Sequence, residues 1–179
     1  MKIKKFISFL LFLCCFAGCK SGKDKPACIY RKTDKTISTT YPFDKSDRIG
    51  IVSYESRNEA DNELIKNDSF RVAGIGERIV LNKVQIDTLF SLLYDYQRNK
   101  NRGSVSQADC YNPRHAVVFY KANKAIAFWE ICLECGGQRQ STNTDFEKFC
   151  DENICRVQHF FINAGIKEGI IPEMCTSKK

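Results

Sequence analysis

The stretch His115 to Leu133, HAVVFYKANKAIAFWEICL, decides the fold. Two runs rich in β-branched and aromatic residues flank Ala122-Asn123, where a two-residue turn can reverse the chain. The reading is a β-hairpin, with strands from His115 to Tyr120 and from Ala125 to Leu133. A lone hairpin is marginal in water, so its faces must be covered by further strands or helices. With Lys121 facing Lys124 and no irregularity between, His115 falls opposite Glu130 and Cys110 opposite Cys135. Trp129 then lies on the face away from His115 and reads as core.

The neighbouring segments supply the cover. Asn82 and Gln85 make a capping box ahead of Ile86, Leu89, Phe90, Leu93 and Tyr96, whose spacing predicts a helix ending near Gln97. Before it, Arg48 to Arg57 reads as a first strand, and Phe70-Arg71-Val72 and Arg78 to Leu81 as two short ones about Gly74-Ile75-Gly76. A G-x-G lacking a third glycine and a following helix carries no phosphate-binding reading. Asn58 to Asp68 is polar and reads as a loop. After the hairpin, Thr144 and Glu147 form a second capping box, and Phe146, Phe149, Val157, Phe160, Phe161 and Ala164 give a helix its apolar face. Gly165 closes that helix, with Ile166 placed for the contact of a glycine cap. His159 falls on its exposed side. The order β-β-β-α-β-β-α with short links is that of an α+β protein: a small antiparallel sheet, two helices on one face, stapled by disulfides. The expected division is one domain over 48–170, a polar tether over 19–47 and a tail over 171–179.

The N-terminus reads as an address. Lys2, Lys4 and Lys5 precede an apolar run from Phe6 to Ala17, the order of an export signal. An apolar helix of about 12 residues spans about 18 Å, well short of the roughly 30 Å of a bilayer core. Phe16-Ala17-Gly18-Cys19 resembles the lipobox of bacterial lipoproteins, although Phe16 departs from the usual Leu. The resemblance implies cleavage before Cys19, a signal peptide over 1–18, and palmitate-type acyl chains on that cysteine that hold the protein to a membrane. In that family an Asp after the cysteine marks inner-membrane retention. Lys20 stands there instead, which implies the outer membrane, facing the periplasm. Removing the three signal lysines reduces the formal charge from +7 to +4, concentrated in Lys20, Lys23, Lys25, Arg31, Lys32 and Lys35. That stretch reads as a solvated tether or as a contact for anionic headgroups and polymers. No nucleic-acid motif accompanies it.

An exported chain meets an oxidising compartment, and seven cysteines remain there besides Cys19. The expected register pairs Cys110 with Cys135 and leaves Cys132 to reach Cys150 on the second helix. Cys28 and Cys175 would clip the termini together, with Cys155 left over. Three sharper readings compete. Cys132-Leu133-Glu134-Cys135-Gly136-Gly137 looks like a zinc knuckle, completed by Cys150 and Cys155 or by Cys110 and His115. The same C-x-x-C is similar to the thioredoxin motif but lacks the helix that should follow it. Cys132, His115 and Glu130 could act as nucleophile, base and orienting acid. Against these, His115 bonding Glu130 as a buried polar pair is the plainer reading. No catalytic, metal or cofactor-binding residue is assigned.

The segments Cys110-Tyr111-Asn112-Pro113-Arg114-His115 and Glu130-Ile131-Cys132-Leu133-Glu134-Cys135 resemble a group of uncharacterised bacterial lipoproteins and exported proteins, from the first helix onward. The resemblance implies location and a stapled domain, and no activity. The expected function is that of a membrane-anchored periplasmic lipoprotein whose domain binds an envelope protein or polymer. The alternative is an envelope thiol-redox or zinc-dependent enzyme using Cys132 and Cys135.

Overall fold

The computed structural model describes residues 28–57, 64–66, 69–99, 111–146 and 153–175. In chain order these form β1 (Cys28–Tyr30), β2 (Arg48–Arg57), β3 (Ile65–Lys66), β4 (Ser69–Phe70), β5 (Val72–Val80), α1 (Lys83–Tyr94), β6 (Tyr96–Arg98), β7 (His115–Lys121), β8 (Lys124–Ile131), β9 (Gln138–Gln140) and α2 (Ile154–Ala164). Five strands make an antiparallel sheet in the order β5-β2-β7-β8-β9, while β1 with β6 and β3 with β4 form two small ribbons. Ile51, Val117, Phe119 and Trp129 on one face of the sheet pack against Leu89 and Leu93 of α1 and Val157 and Phe161 of α2. The class and the one-sided helix layer are those expected.

The hairpin turns at Ala122 and Asn123, with φ of 47° and 64°. Two successive left-handed residues match the twist of the flanking strands. Asp47 fixes the turn by accepting the Ala122 N–H at 2.7 Å. The register starts as expected, Lys121 facing Lys124 and Tyr120 facing Ala125, but Phe119 then faces Ala127. Ile126 is the extra residue of a β-bulge, and its carbonyl accepts from the Tyr41 hydroxyl at 2.8 Å. From there on, the expected register is wrong by one. His115 faces Ile131, and Glu130 faces Ala116. A slip of one residue exchanges faces, so His115 shares the helix-covered face with Trp129 while Glu130 points to the other.

That second face is also covered. Val52, Tyr54, Ala116, Val118 and Phe128 pack with Leu64, and Ile65 and Phe70 of the β3–β4 ribbon lie against them. The two short strands expected around Gly74-Ile75-Gly76 are one strand, β5. Between Val52 and Tyr54 the ladder is irregular, with Gly76 and Glu77 of β5 standing against Ser53 alone of β2, and Gly74 takes a φ of 56°.

The capping box at the start of α1 and the glycine cap at the end of α2 both form. At α1 the capping box forms in both directions, Asn82 accepting the Gln85 N–H and Gln85 accepting the Asn82 N–H. At α2, Gly165 closes the helix with φ 110°, and the Ile166 N–H reaches the Phe161 carbonyl at 3.0 Å. Ile166 is fully buried, as the motif requires. The Thr144 hydroxyl donates to the Ser141 carbonyl at 2.6 Å, and the first described turn of α2 starts at Ile154; Glu147 lies outside the described residues.

The domain starts well before residue 48. β1 pairs with β6 from Cys28 onward, and Phe43 is buried edge-on to Phe90 and Phe119 at 5.1 and 5.0 Å. The expected tether therefore contributes core, because Ile37, Tyr41 and Phe43 suffice to pin an otherwise polar segment. At the other end, the turn Pro172–Cys175 is joined to α2 by a disulfide and is no loose tail.

Candidate functional site

The bulge separates the residues that the hairpin was expected to unite. On one face, the fully buried Glu130 accepts hydrogen bonds from Tyr54 Oη at 2.7 Å and Tyr111 Oη at 2.9 Å. The Arg139 guanidinium lies 4.5 Å over the Tyr111 ring. On the opposite face, His115 is buried beside its cross-strand partner Ser53. Its Nε2–H donates to the Glu168 carbonyl at 2.8 Å, since a carbonyl can only accept. The expected His115–Glu130 bond does not form, and the Cys132, His115 and Glu130 grouping is dissolved, because strand side chains alternate between faces.

His115 belongs to a different cluster. Ser53 Oγ donates to the Glu168 carboxylate at 2.9 Å and accepts the Glu77 N–H at 2.8 Å. The Glu77 carboxylate in turn accepts the Lys167 and Glu168 N–H groups at 2.7 and 3.0 Å. Glycines make room for the contact: a Cβ on Gly76 would collide with the Glu168 carboxylate, and one on Gly169 would sit 3.0 Å from His115 Cε1. Burial pushes the His115 pKa below its ordinary value near 6.5. The Glu168 and Lys167 N–H groups hold Glu77 below its ordinary 4.5. Serine, histidine and glutamate are the residue types of a hydrolytic triad, but the bonds here run from Ser53 to Glu168 and from His115 to a main-chain carbonyl. No imidazole nitrogen is directed to the serine hydroxyl in this bonding pattern. Its effect is to clamp the segment after α2 onto β2, β5 and β7. No local motif announces the cluster, since Ser53, Glu77 and Glu168 come from distant segments.

The cysteines are distributed as follows. Cys175 bonds Cys155, with Cα atoms 5.3 Å apart. This corrects the expected Cys28–Cys175 clip: the segment after α2 doubles back, Gln158 Nε2 donating to the Ile171 carbonyl at 2.9 Å, and so returns residue 175 to the start of the helix. Cys28 is itself held in a disulfide. Cys19, Cys110 and Cys150 lie outside the described residues, and with them the expected lipid attachment and the Cys110–Cys135 and Cys132–Cys150 pairs. Cys132 and Cys135 sit in the turn between β8 and β9, where the Cys132 N–H donates to Gly137 O at 2.8 Å and the Gly136 N–H to Cys132 O at 2.9 Å. Cys132 is buried and Cys135 half-buried. A strand follows this turn, so the helix N-terminus that activates a thioredoxin thiol is not built here. Among the described residues, no three His, Cys, Asp or Glu side chains gather as a metal site. Trp129 is fully buried, its Nε1–H donating to Gln138 Oε1 at 2.8 Å, and His159 is exposed.

A concave surface lies elsewhere. Between the segment from Ile37 to Arg48 and α1 runs a groove of about 650 Å³. Its apolar lining comes from Ile37, Phe43, Ile49, Ile86 and Phe90, and charges of both signs, Asp47, Arg48, Lys83 and Asp87, stand around it. Val84, on the first turn of α1, is 73% exposed. The walls are braced: Asp47 holds the hairpin turn, and the Arg48 guanidinium lies 4.3 Å over the Tyr120 ring. The volume falls within the roughly 300–1,000 Å³ typical of ligand sites. The sequence does not mark this groove, because its lining joins the presumed tether to the first helix.

No family model, curated protein or solved structure matches the chain.

Proposed function

We propose that the protein is a lipid-anchored binding domain of the cell envelope. Cys19 carries the lipid, the outer membrane holds it, and the domain faces the periplasm. The groove along α1 receives an apolar segment of an envelope protein. The observation that carries the binding reading is the groove itself, an apolar, braced trough ringed by both signs of charge. Apolar lining supplies affinity by burial, and the peripheral charges set register and exclude mismatched partners. The order of lysines, apolar run and lipobox-like Phe16 to Cys19 supports the anchor.

Photocrosslinking residues placed at Ser38 and Ile86, with Lys124 on the hairpin as control, test the groove in intact cells. The expected result is a shared adduct from both groove positions and none from the control. Adducts from Lys124 alone would count against the groove. Labelled palmitate should enter the wild-type chain and be lost in Cys19→Ala; an unlabelled wild type would remove the anchor.

A further inference from the structure

Net charge and two exposed apolar side chains fall in one stretch of the sequence, leading into and through β1. Between Lys20 and Lys35, six basic residues stand against two acidic ones, while the sequence from Thr36 to Lys179 carries equal numbers of each. The whole net charge of the chain after Cys19 thus lies within this stretch, which includes β1. There Ile29 and Tyr30 are 45% and 60% exposed, adjacent large apolar residues on opposite sides of the strand. The Tyr30 ring meets the Tyr96 ring edge-on at 5.2 Å, and the Arg156 guanidinium lies 5.0 Å over Tyr96. Arg31 and Lys32 follow, both exposed. The ribbon is firmly mounted: the Arg31 N–H donates to Asp95 O at 2.7 Å and the Thr33 N–H to Asp95 Oδ1 at 2.8 Å. Tyrosines whose rings favour the apolar side and whose hydroxyls favour water, beside cations, suit the headgroup layer of a bilayer.

We propose that the β1–β6 ribbon docks on the bilayer, taking anionic phospholipid headgroups at Arg31, Lys32 and Arg156 and sinking Ile29 and Tyr30 into the interface. This rests on Cys19 bearing lipid. Only residues 20 to 27 separate that cysteine from β1, a reach of at most about 30 Å, so inserted acyl chains keep the ribbon at the surface. An edge-on approach of β1 places both apolar side chains in the same layer. α1 is about 18 Å long; its groove-lining residues run from Lys83 to Phe90, while β6 follows its C-terminal end.

The full lipidated protein, reconstituted in phosphatidylethanolamine/phosphatidylglycerol vesicles with brominated acyl chains, provides the test. Trp129 is the only native tryptophan and is buried, so Tyr30→Trp reports depth and Val84→Trp serves as the exposed reference. The expected result is a twofold or greater loss of emission in Tyr30→Trp with a blue shift, while Val84→Trp and the wild type stay unquenched. Arg31→Glu with Lys32→Glu should reverse the quenching of Tyr30→Trp. Quenching of Tyr30→Trp no greater than that of Val84→Trp, in protein that floats with the vesicles, overturns the docking proposal and leaves the anchor standing. If the exported protein bears no diacylglyceryl mass, the anchor fails instead. Adding the same vesicles to that lipid-free chain then decides the ribbon by itself: a quenched, blue-shifted Tyr30→Trp supports docking, and unchanged emission ends it.

Discussion

Glu130 shows how much one side chain depends on a bulge. Once Ile126 leaves the ladder, Glu130 is carried to the face where Tyr54 and Tyr111 donate to it. Removing one donor from a buried acceptor costs about 1–3 kcal/mol. Tyr54→Phe, which keeps the ring and loses the hydroxyl, should therefore lower unfolding free energy by about that amount in urea titration; an unchanged midpoint would mean the hydroxyl is not needed there. Trp129 in the core and His159 at the surface were legible, because side-chain periodicity fixes both. The partners of Glu130 and His115 were not. The bulge that decides them is stabilised by the Tyr41 hydroxyl from a segment 85 residues away, and nothing in the run from Lys124 to Ile131 marks it.

At the scale of elements, the segment after α2 is held by a clamp and a staple. His115 binds its proton less tightly in the fold than its ordinary value near 6.5, so the unfolded chain takes the proton first. Its contribution is complete above that value and declines as pH falls through 6.5 toward the folded value. Glu77 is also lowered, so its contribution is present above 4.5 and is lost as pH falls through its own folded value. Acid therefore loosens the clamp in two windows, His115 first. Protection factors at the Lys167 and Glu168 amides, taken against an intrinsic exchange rate that itself slows in acid, should fall on acidification. Glu77→Gln should expose the same amides about tenfold more at neutral pH, since charge-assisted hydrogen bonds are the stronger ones. Protection unchanged in that variant would deny the clamp. The Cys155–Cys175 staple closes 20 residues, for which chain entropy gives about 3 kcal/mol; Cys175→Ser should lose close to that in chemical denaturation. Elements with strong local signals were legible: the hairpin turn, the capping box of α1 and the glycine cap of α2. β1, β6 and β9 were not, since three-residue strands of mixed polarity owe their existence to what lies beside them.

For the whole molecule, the α+β class followed from the order of periodic segments, while the groove needs the fold to assemble it from residues 37–48 and α1. A domain docked through β1 and β6 would present that groove away from the bilayer, and the crosslinking and quenching experiments should agree on this: positions that crosslink to a protein partner should not be quenched by lipid. Positions that both crosslink to a protein partner and are quenched by lipid would contradict such an orientation. The proposed anchor would also change how copies of the chain meet. Held on a surface, neighbours collide far more often than in bulk, and a flat, open strand edge would recruit the next copy into a growing aggregate. β5 is one edge of the sheet, and it is poorly suited to such recruitment. Gly74 bends it, its register against β2 is broken, and Glu77 is already committed to the clamp. The opposite edge, β9, is three residues long. On a chain anchored as proposed, the irregularity in β5 would hinder edge-to-edge recruitment between crowded copies.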